Sequence, residues 1–484
     1  MHFEFLTPHP EGSVQAKNYV QMKIINLQYL KMMNRLGIVL ILWSLWSCAK
    51  DVQSTPIVIH NTGLEQYGTP FTGVPDSRDV SIYQVNMRCF SATHDFKGVT
   101  NRLDDIKDLG INVIYLMPIY PVGVIKTVNS PYCVKDYKAV NAEFGSLTDL
   151  RALIDGAHSR NMAVILDFVA NHTSFDNDWI THYPNWYVHD ANGNIKSPNG
   201  WNDVAQLDFS NQDMRTALIS AMKYWVFVAN CDGYRCDYAD GPPVDFWKQA
   251  IDTLRAISAH KLLMLAEGSR SNNYAAGFDY NFGFSFFDQL KTIYSNNQPV
   301  TQIDNLNTVD YTGASPGQQI VRYITNHDVN SSDGTPLDLF GGKNGSMAAF
   351  VVVAYMKGVP FIYNGQEVAT PIRLVFPFTS TTIDWTIDPD VTAEYTKILT
   401  FRNNSTAIRR GSLISYSSSD VCAFTKTIGS DTVTVISNLR NNTVSYTLPK
   451  AFVNSTWHDA FDGSSVTLST QLSLLPYTYK VLKN

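Results

Sequence analysis

Short, almost wholly apolar runs punctuate the middle of the chain, and each ends in acid, amide or imidazole chemistry. Val164-Ile-Leu166 leads into Asp167-Phe-Val-Ala-Asn171-His172, Leu262-Leu-Met-Leu265 into Ala266-Glu267, and Ile320-Val-Arg-Tyr-Ile324 into Thr325-Asn-His327-Asp328, while Gly233-Tyr-Arg235-Cys-Asp237 closes a fourth. Such runs read as strands buried on both faces, the kind found in parallel sheets. A charge at the terminus of such a strand faces a mouth rather than a core. In a barrel of parallel strands, that mouth is the active site.

Between the runs the period becomes helical. Val80 to Arg88 predicts the first strand, and Asp95 to Leu109 a helix that stops at Gly110 as at a C-cap. Leu147 to Arg160 predicts another helix, with Ser146-Leu-Thr-Asp149 as a capping arrangement. From His172 to Gln206 the 35 residues carry Trp179, Tyr183, Trp186, Tyr187 and Trp201 among Asn and Gly without a helical period. That is long for a loop, and predicts a small subdomain over the mouth. After a helix over Val391 to Asn403 the period falls to two in Val433–Ser437, Thr443–Thr447 and Tyr477–Val481, with Gly429-Ser-Asp431 as a hairpin turn. The expected class is α/β: a (β/α)8 TIM barrel over 80–405 with an inserted subdomain at 172–206 after the third strand, then a C-terminal antiparallel β domain, a sandwich, over 406–484.

At 484 residues the chain exceeds a barrel of about 250 residues and leaves room for that second domain. Its net charge of −6, with 12% aromatics and no Lys/Arg cluster, argues against nucleic acid and suits an uncharged polymer. Near the N-terminus, Lys31 and Arg35 precede an apolar run from Leu36 to Trp46 and then Leu45-Trp-Ser-Cys48. This is the order of a lipoprotein signal, and the run is too short to span a bilayer. Residues 1–48 are therefore read as an N-terminal extension and signal segment, and 49–79 as a tether. The expectation is export to a bacterial cell envelope, with membrane contact only through a lipid on Cys48. The other cysteines, Cys89, Cys133, Cys231, Cys236 and Cys422, have no CxxC spacing, so neither a disulfide framework nor a zinc site is expected, only small buried hydrophobes.

The order and spacing of the four strand-end segments resemble the α-amylase family of glycoside hydrolases. The resemblance extends to Gly110-Ile-Asn-Val-Ile-Tyr-Leu-Met-Pro118, Tyr132-Cys-Val-Lys-Asp136-Tyr137 and Gly358-Val-Pro-Phe-Ile-Tyr-Asn-Gly-Gln-Glu367, over roughly residues 80 to 410. It implies Asp237 as nucleophile, Glu267 as acid/base and Asp328 as the third carboxylate, which grips two sugar hydroxyls. It further implies His172 and His327 as hydroxyl partners, Tyr132 as an aromatic against the sugar, and Asp167 as a support that holds Arg235. Cleavage with retention needs two carboxyls about 5 Å apart. Asp237 and Glu267 end consecutive strands, and neighbouring parallel strands lie about 4.8 Å apart. Arg235, two residues before Asp237, shares its face and would keep it ionised and aimed. Leu265 and the charges of Asp237 and Asp328 are expected to raise the pKa of Glu267. Trp179, Trp186 and Trp201 are sugar platforms or core residues of the subdomain.

The chain departs from the family pattern at two places. A Lys-His pair usual after the nucleophile is Asp240-Gly241 here, and an Asp that binds calcium in relatives is Gln206. Of that calcium site only Asn171 is kept, so no cofactor is expected to be required and calcium binding looks degenerate. The expected function is retaining hydrolysis of α-1,4-glucosidic bonds in starch-like glucans or maltooligosaccharides. A glucanotransferase or a debranching or maltooligosaccharide hydrolase would use the same residues. A non-catalytic glycan-binding relative is the alternative of another class, and it has no need of the acid/base.

Overall fold

A computed structural model describes residues 63–453 and 455–484; Cys48 and the signal segment lie outside the described residues. Eight parallel strands close a barrel: β1 Ile82–Val85, β2 Val113–Leu116, β3 Ala163–Val169, β4 Gly233–Asp237, β5 Leu263–Ala266, β6 Tyr280–Phe282, β7 Gln319–Arg322 and β8 Val359–Tyr363, with β8 returning to β1. All their residues except Gln319 are buried, because helices cover the outside and side chains fill the inside.

The first strand is shorter than the apolar run suggested. The Asn86 side chain accepts the N–H of Arg88, starting a helical turn over Met87–Phe90 in place of more strand. The single helix expected over 95–109 is two, Phe96–Thr100 and Leu103–Asp108; the Thr100 hydroxyl bonds back to the Phe96 carbonyl at 2.9 Å, a bond that bends helices. Leu147–Ser159 forms as expected, with Ser146 and Asp149 capping each other reciprocally. The last barrel helix begins earlier than the period indicated, at Pro389, because Asp388 caps it and proline suits the first helical position.

The insertion pairs His172–Ser174 antiparallel with Val204–Gln206. Trp186 is buried, stacked on Tyr183 (centroids 4.2 Å) and edge-on to Trp179 (5.0 Å), which packs on Tyr137 (5.2 Å). Two of the three tryptophans are thus subdomain core. The described part of the segment read as a tether and approach to the barrel is packed down: Phe71 stacks on His158 at 4.2 Å, and Tyr67 N–H donates to the Phe227 carbonyl at 2.8 Å.

After a short helix, Thr406–Arg410, a six-stranded antiparallel sheet packs against a two-stranded ribbon, Val444–Thr447 with Gln471–Leu474. Val421, Ala423, Ile436 and Leu482 of the sheet meet Tyr446 and Leu474 of the ribbon in a core of their own, while Cys422, Phe424, Val433 and Val435 on the opposite face join the barrel's core. The hairpin at 429–430 joins Val421–Ile428 to Asp431–Asn438, with Gly429 at φ +58°. The five cysteines of the described residues are free and buried.

Candidate active site

Strand β4 sets the geometry. Successive strand residues alternate in direction, so Arg235 and Asp237 point to one side, and the β3–β4 register puts Asp167 directly opposite Arg235. One guanidinium then gathers three carboxylates. Arg235 Nη1 donates to Asp167 Oδ1 and Oδ2 (2.8 and 3.0 Å) and to Asp237 Oδ1 (2.8 Å), while Nη2 pairs with Glu267 Oε1 at 2.6 Å. Side-chain exposure rises from 0% at Asp167 and 1% at Arg235 to 12% at Asp237 and 16% at Glu267. Only the last two carboxylates can meet a ligand.

Burial pushes the carboxyl of Asp237 well above the ordinary range; Arg235 pulls it down, and Glu267 and Asp167 push it further up. Burial raises Asp167 as well, again against Arg235. The Glu267 carboxylate is tied at both oxygens. Arg235 holds Oε1, and the backbone N–H of Tyr238 donates to Oε2 at 2.8 Å.

Both histidines are buried, and desolvation pushes His172 down to about 4 and His327 down to about 3. They are neutral imidazoles at neutral pH, able to donate at one nitrogen and accept at the other. Gln84 Nε2 lies 2.9 Å from His327 Nδ1, which assigns that nitrogen as the acceptor. The His327 Nε2–H therefore faces the Tyr132 hydroxyl at 2.7 Å, and that hydroxyl also donates to Asp167 Oδ2 at 3.2 Å. Asp328, 62% exposed, stands at the mouth with Oδ1 3.3 Å from His327 Nε2.

These groups line an open cleft of about 1410 Å³ that holds Tyr132, His172, Asp237, Glu267, His327 and Asp328 together. Arg235, also read as substrate-binding, is buried behind its wall, and Trp179 and Trp186 do not line it. Trp201 does, edge-on to His172 and Tyr238. Three contributors were missed in the sequence. Gln84 in β1 fixes His327; Tyr115 in β2 donates to Asp167 Oδ2 at 2.5 Å; Tyr238 follows Asp237 directly. A polar or phenolic side chain inside an apolar strand, as in Ile82-Tyr-Gln-Val85 and Val113-Ile-Tyr-Leu116, was the available signal for the first two.

A sequence model described as the α-amylase catalytic domain matches residues 88–205. Alpha-amylase 2 of Dictyoglomus thermophilum is 25% identical over 402 residues, covering 78% of this chain and 69% of that one. The crystal structure of an alpha-amylase from Lactobacillus plantarum superposes with a TM-score of 0.76 at 28% identity, over 84% of this chain and 99% of that one. The chain belongs to the α-amylase family. It is a glycoside hydrolase of the group that also includes oligo-1,6-glucosidases: the Probable oligo-1,6-glucosidase 2 of Bacillus subtilis is 28% identical over 197 residues, 33% of this chain and 34% of that one. The chain thus spans about two thirds of one curated relative and a third of the other.

The family's calcium positions also come together. A Cβ on Gly241 would lie 2.7 Å from Asn171 Oδ1, and Gln206 pairs with His172 beside Asn171. They supply two amides and a carbonyl but no carboxylate, a poor match for a hard dication. Among the described residues no group of three or more His, Cys, Asp or Glu side chains is arranged to hold a metal.

Proposed function

We propose that this α-amylase-family enzyme hydrolyses α-1,4-glucosidic bonds of starch-like glucans or maltooligosaccharides with retention of configuration. The observation that carries the reading is the pair of carboxylates held on the two terminal nitrogens of Arg235. One planar fork holds Asp237 and Glu267 on its two terminal nitrogens, an arrangement that favours the close pairing of about 5 Å that retaining enzymes use over the wider gap that admits a water. Asp237, held at one oxygen by Arg235, presents the other to the anomeric carbon. Glu267 protonates the leaving oxygen and then activates the water that hydrolyses the glycosyl-enzyme. Tyr132, His172, His327 and Asp328 surround the same sugar: the phenol ring offers an apolar face, the neutral histidines meet hydroxyls, and Asp328 accepts from two of them. Asp167 never meets the sugar and holds Arg235 from behind.

Product analysis on starch, pullulan and maltoheptaose tests the substrate. Release of short maltooligosaccharides from starch and maltoheptaose is expected; cleavage of the α-1,6 links of pullulan alone would move the activity to debranching, and no cleavage of any of the three would contradict the reading.

The donor set above leads to a second expectation. Dialysis against a strong chelator should leave activity and the melting temperature nearly unchanged, because the subdomain is held by its own aromatic packing. A drop of several degrees, restored by added Ca²⁺, would show that other ligands bind calcium. A third concerns the exported form: changing Cys48 to Ser should convert a membrane-associated protein into a soluble, active one. The Ser variant remaining in a detergent-free membrane pellet would rule out the lipid.

A further inference from the structure

The turns that follow the two reacting carboxylates are zipped together, at the place where this chain departs from the family's Lys-His pair. Asp240 Oδ2 accepts the Ser269 N–H at 2.9 Å, and Oδ1 accepts Arg270 Nε at 3.1 Å and Asn273 Nδ2 at 3.0 Å. Arg270 returns the contact through Nη2, which donates to the carbonyls of Ala239 (2.7 Å) and Pro242 (3.0 Å). Neither turn has room for other residues at two positions. A Cβ on Gly241 would come within 2.4 Å of the Tyr238 ring, and one on Gly268 within 2.3 Å of Asp240 Oδ1.

The consequence of the zipper is felt at Tyr238. Its φ of +42° is left-handed, a conformation a tyrosine holds only when the surroundings impose it. The surroundings are the Gly241 N–H bonding to the Tyr238 carbonyl at 2.8 Å, the Ala239 N–H bonding to the Glu267 carbonyl at 2.9 Å, and the edge of Trp201 against the ring at 5.2 Å. In this conformation, the Tyr238 N–H points at Glu267 Oε2, 2.8 Å away. With Arg235 on Oε1, both oxygens are tied and the plane of the carboxyl is fixed.

We propose that Asp240, acting with Arg270, is a positioning residue for Glu267: it locks the turn after the nucleophile to the turn after the acid/base, so that the Tyr238 N–H sets the orientation from which Glu267 protonates the leaving oxygen. This rests on the reading of Glu267 as acid/base given above. Asp240 touches neither reacting atom. Its substitution therefore acts on proton delivery and leaves nucleophilic attack by Asp237 in place.

Leaving-group dependence separates this role from a merely structural one. Asp240→Ala should lower kcat on maltoheptaose by roughly 10–100-fold, the cost of a misaligned catalytic group. On a maltooligosyl fluoride, which departs without a proton, the loss in the glycosylation rate, read as fluoride released in the first turnover, should stay within about threefold, and KM for maltoheptaose should change by about twofold at most. Asp240→Asn keeps an oxygen for Arg270 and should recover most of the rate. Equal losses on the two substrates, or a loss expressed in KM alone, would overturn the proposal. If the Ala variant does not fold, the smaller deficit of Asp240→Asn must show the same asymmetry. Wild-type enzyme in the same assay keeps the two readings apart: no cleavage of maltoheptaose by wild type defeats the proposed function, whereas symmetric losses against an active wild type defeat only the role of Asp240.

Discussion

Asp237→Asn leaves a protein that folds and binds maltooligosaccharides but turns them over at least about 10⁴-fold more slowly. The amide keeps the shape of the carboxylate and can still accept from Arg235 Nη1, which lies 2.8 Å away in the wild-type protein. It cannot form or release a glycosyl ester. Stability should not fall. Burial raises the pKa of Asp237 in the folded protein, which means that its charge is held there at a cost relative to the unfolded chain, and a neutral isostere removes that cost. Arg235 remains compensated by Asp167 and Glu267. A melting curve within a degree or two of wild type, or above it, together with the collapse of kcat, is the expected pair of results. A variant with a tenth of wild-type turnover would remove Asp237 from the nucleophile's role.

Glu267→Gln divides substrates by their leaving groups. Loss of the acid removes about 10²–10⁴-fold from reactions that need a proton on the departing oxygen. A maltooligosyl fluoride or an activated aryl glycoside needs none, so its glycosylation rate should fall far less than the rate on starch. Gln keeps an oxygen for Arg235 and for the Tyr238 N–H, so the surrounding geometry is retained. Equal losses on starch and on the activated substrate would exclude Glu267 as the acid.

The barrel was legible because burial on both faces leaves continuous apolar strands, and because charges can interrupt such strands only at their ends. That same logic located Asp167, Arg235, Asp237, Glu267, His327 and Asp328, which the structure gathers around one guanidinium and one cleft. It failed where a local hydrogen bond overrides a run of suitable residues, as at Asn86, where the strand gives way to a helical turn, and at Thr100, where a helix breaks. Support residues were harder to see. Gln84 and Tyr115 lie within strands, and their importance comes from the closure of the barrel, which brings them beside His327 and Asp167. Tyr238 was hidden for another reason: its contribution to the site is a backbone N–H, which no side-chain pattern records. The departure at Asp240-Gly241 was visible as the loss of the Lys-His pair usual after the nucleophile. The compensating contacts of Asp240 with Ser269, Arg270 and Asn273 emerge only when β4 and β5 are set side by side.

The stereochemistry of the first-formed product tests the central claim most directly. Maltoheptaose is mixed with enzyme in D₂O, and proton NMR follows the new reducing ends before mutarotation scrambles them. Two displacements, through a glycosyl-enzyme on Asp237, predict that the α-anomer appears first and the β-anomer grows in only as the sugars equilibrate. A first-formed β-anomer would mean that water attacks directly across a wider gap, and would contradict the account of Asp237 and Glu267 as a closely held nucleophile and acid/base.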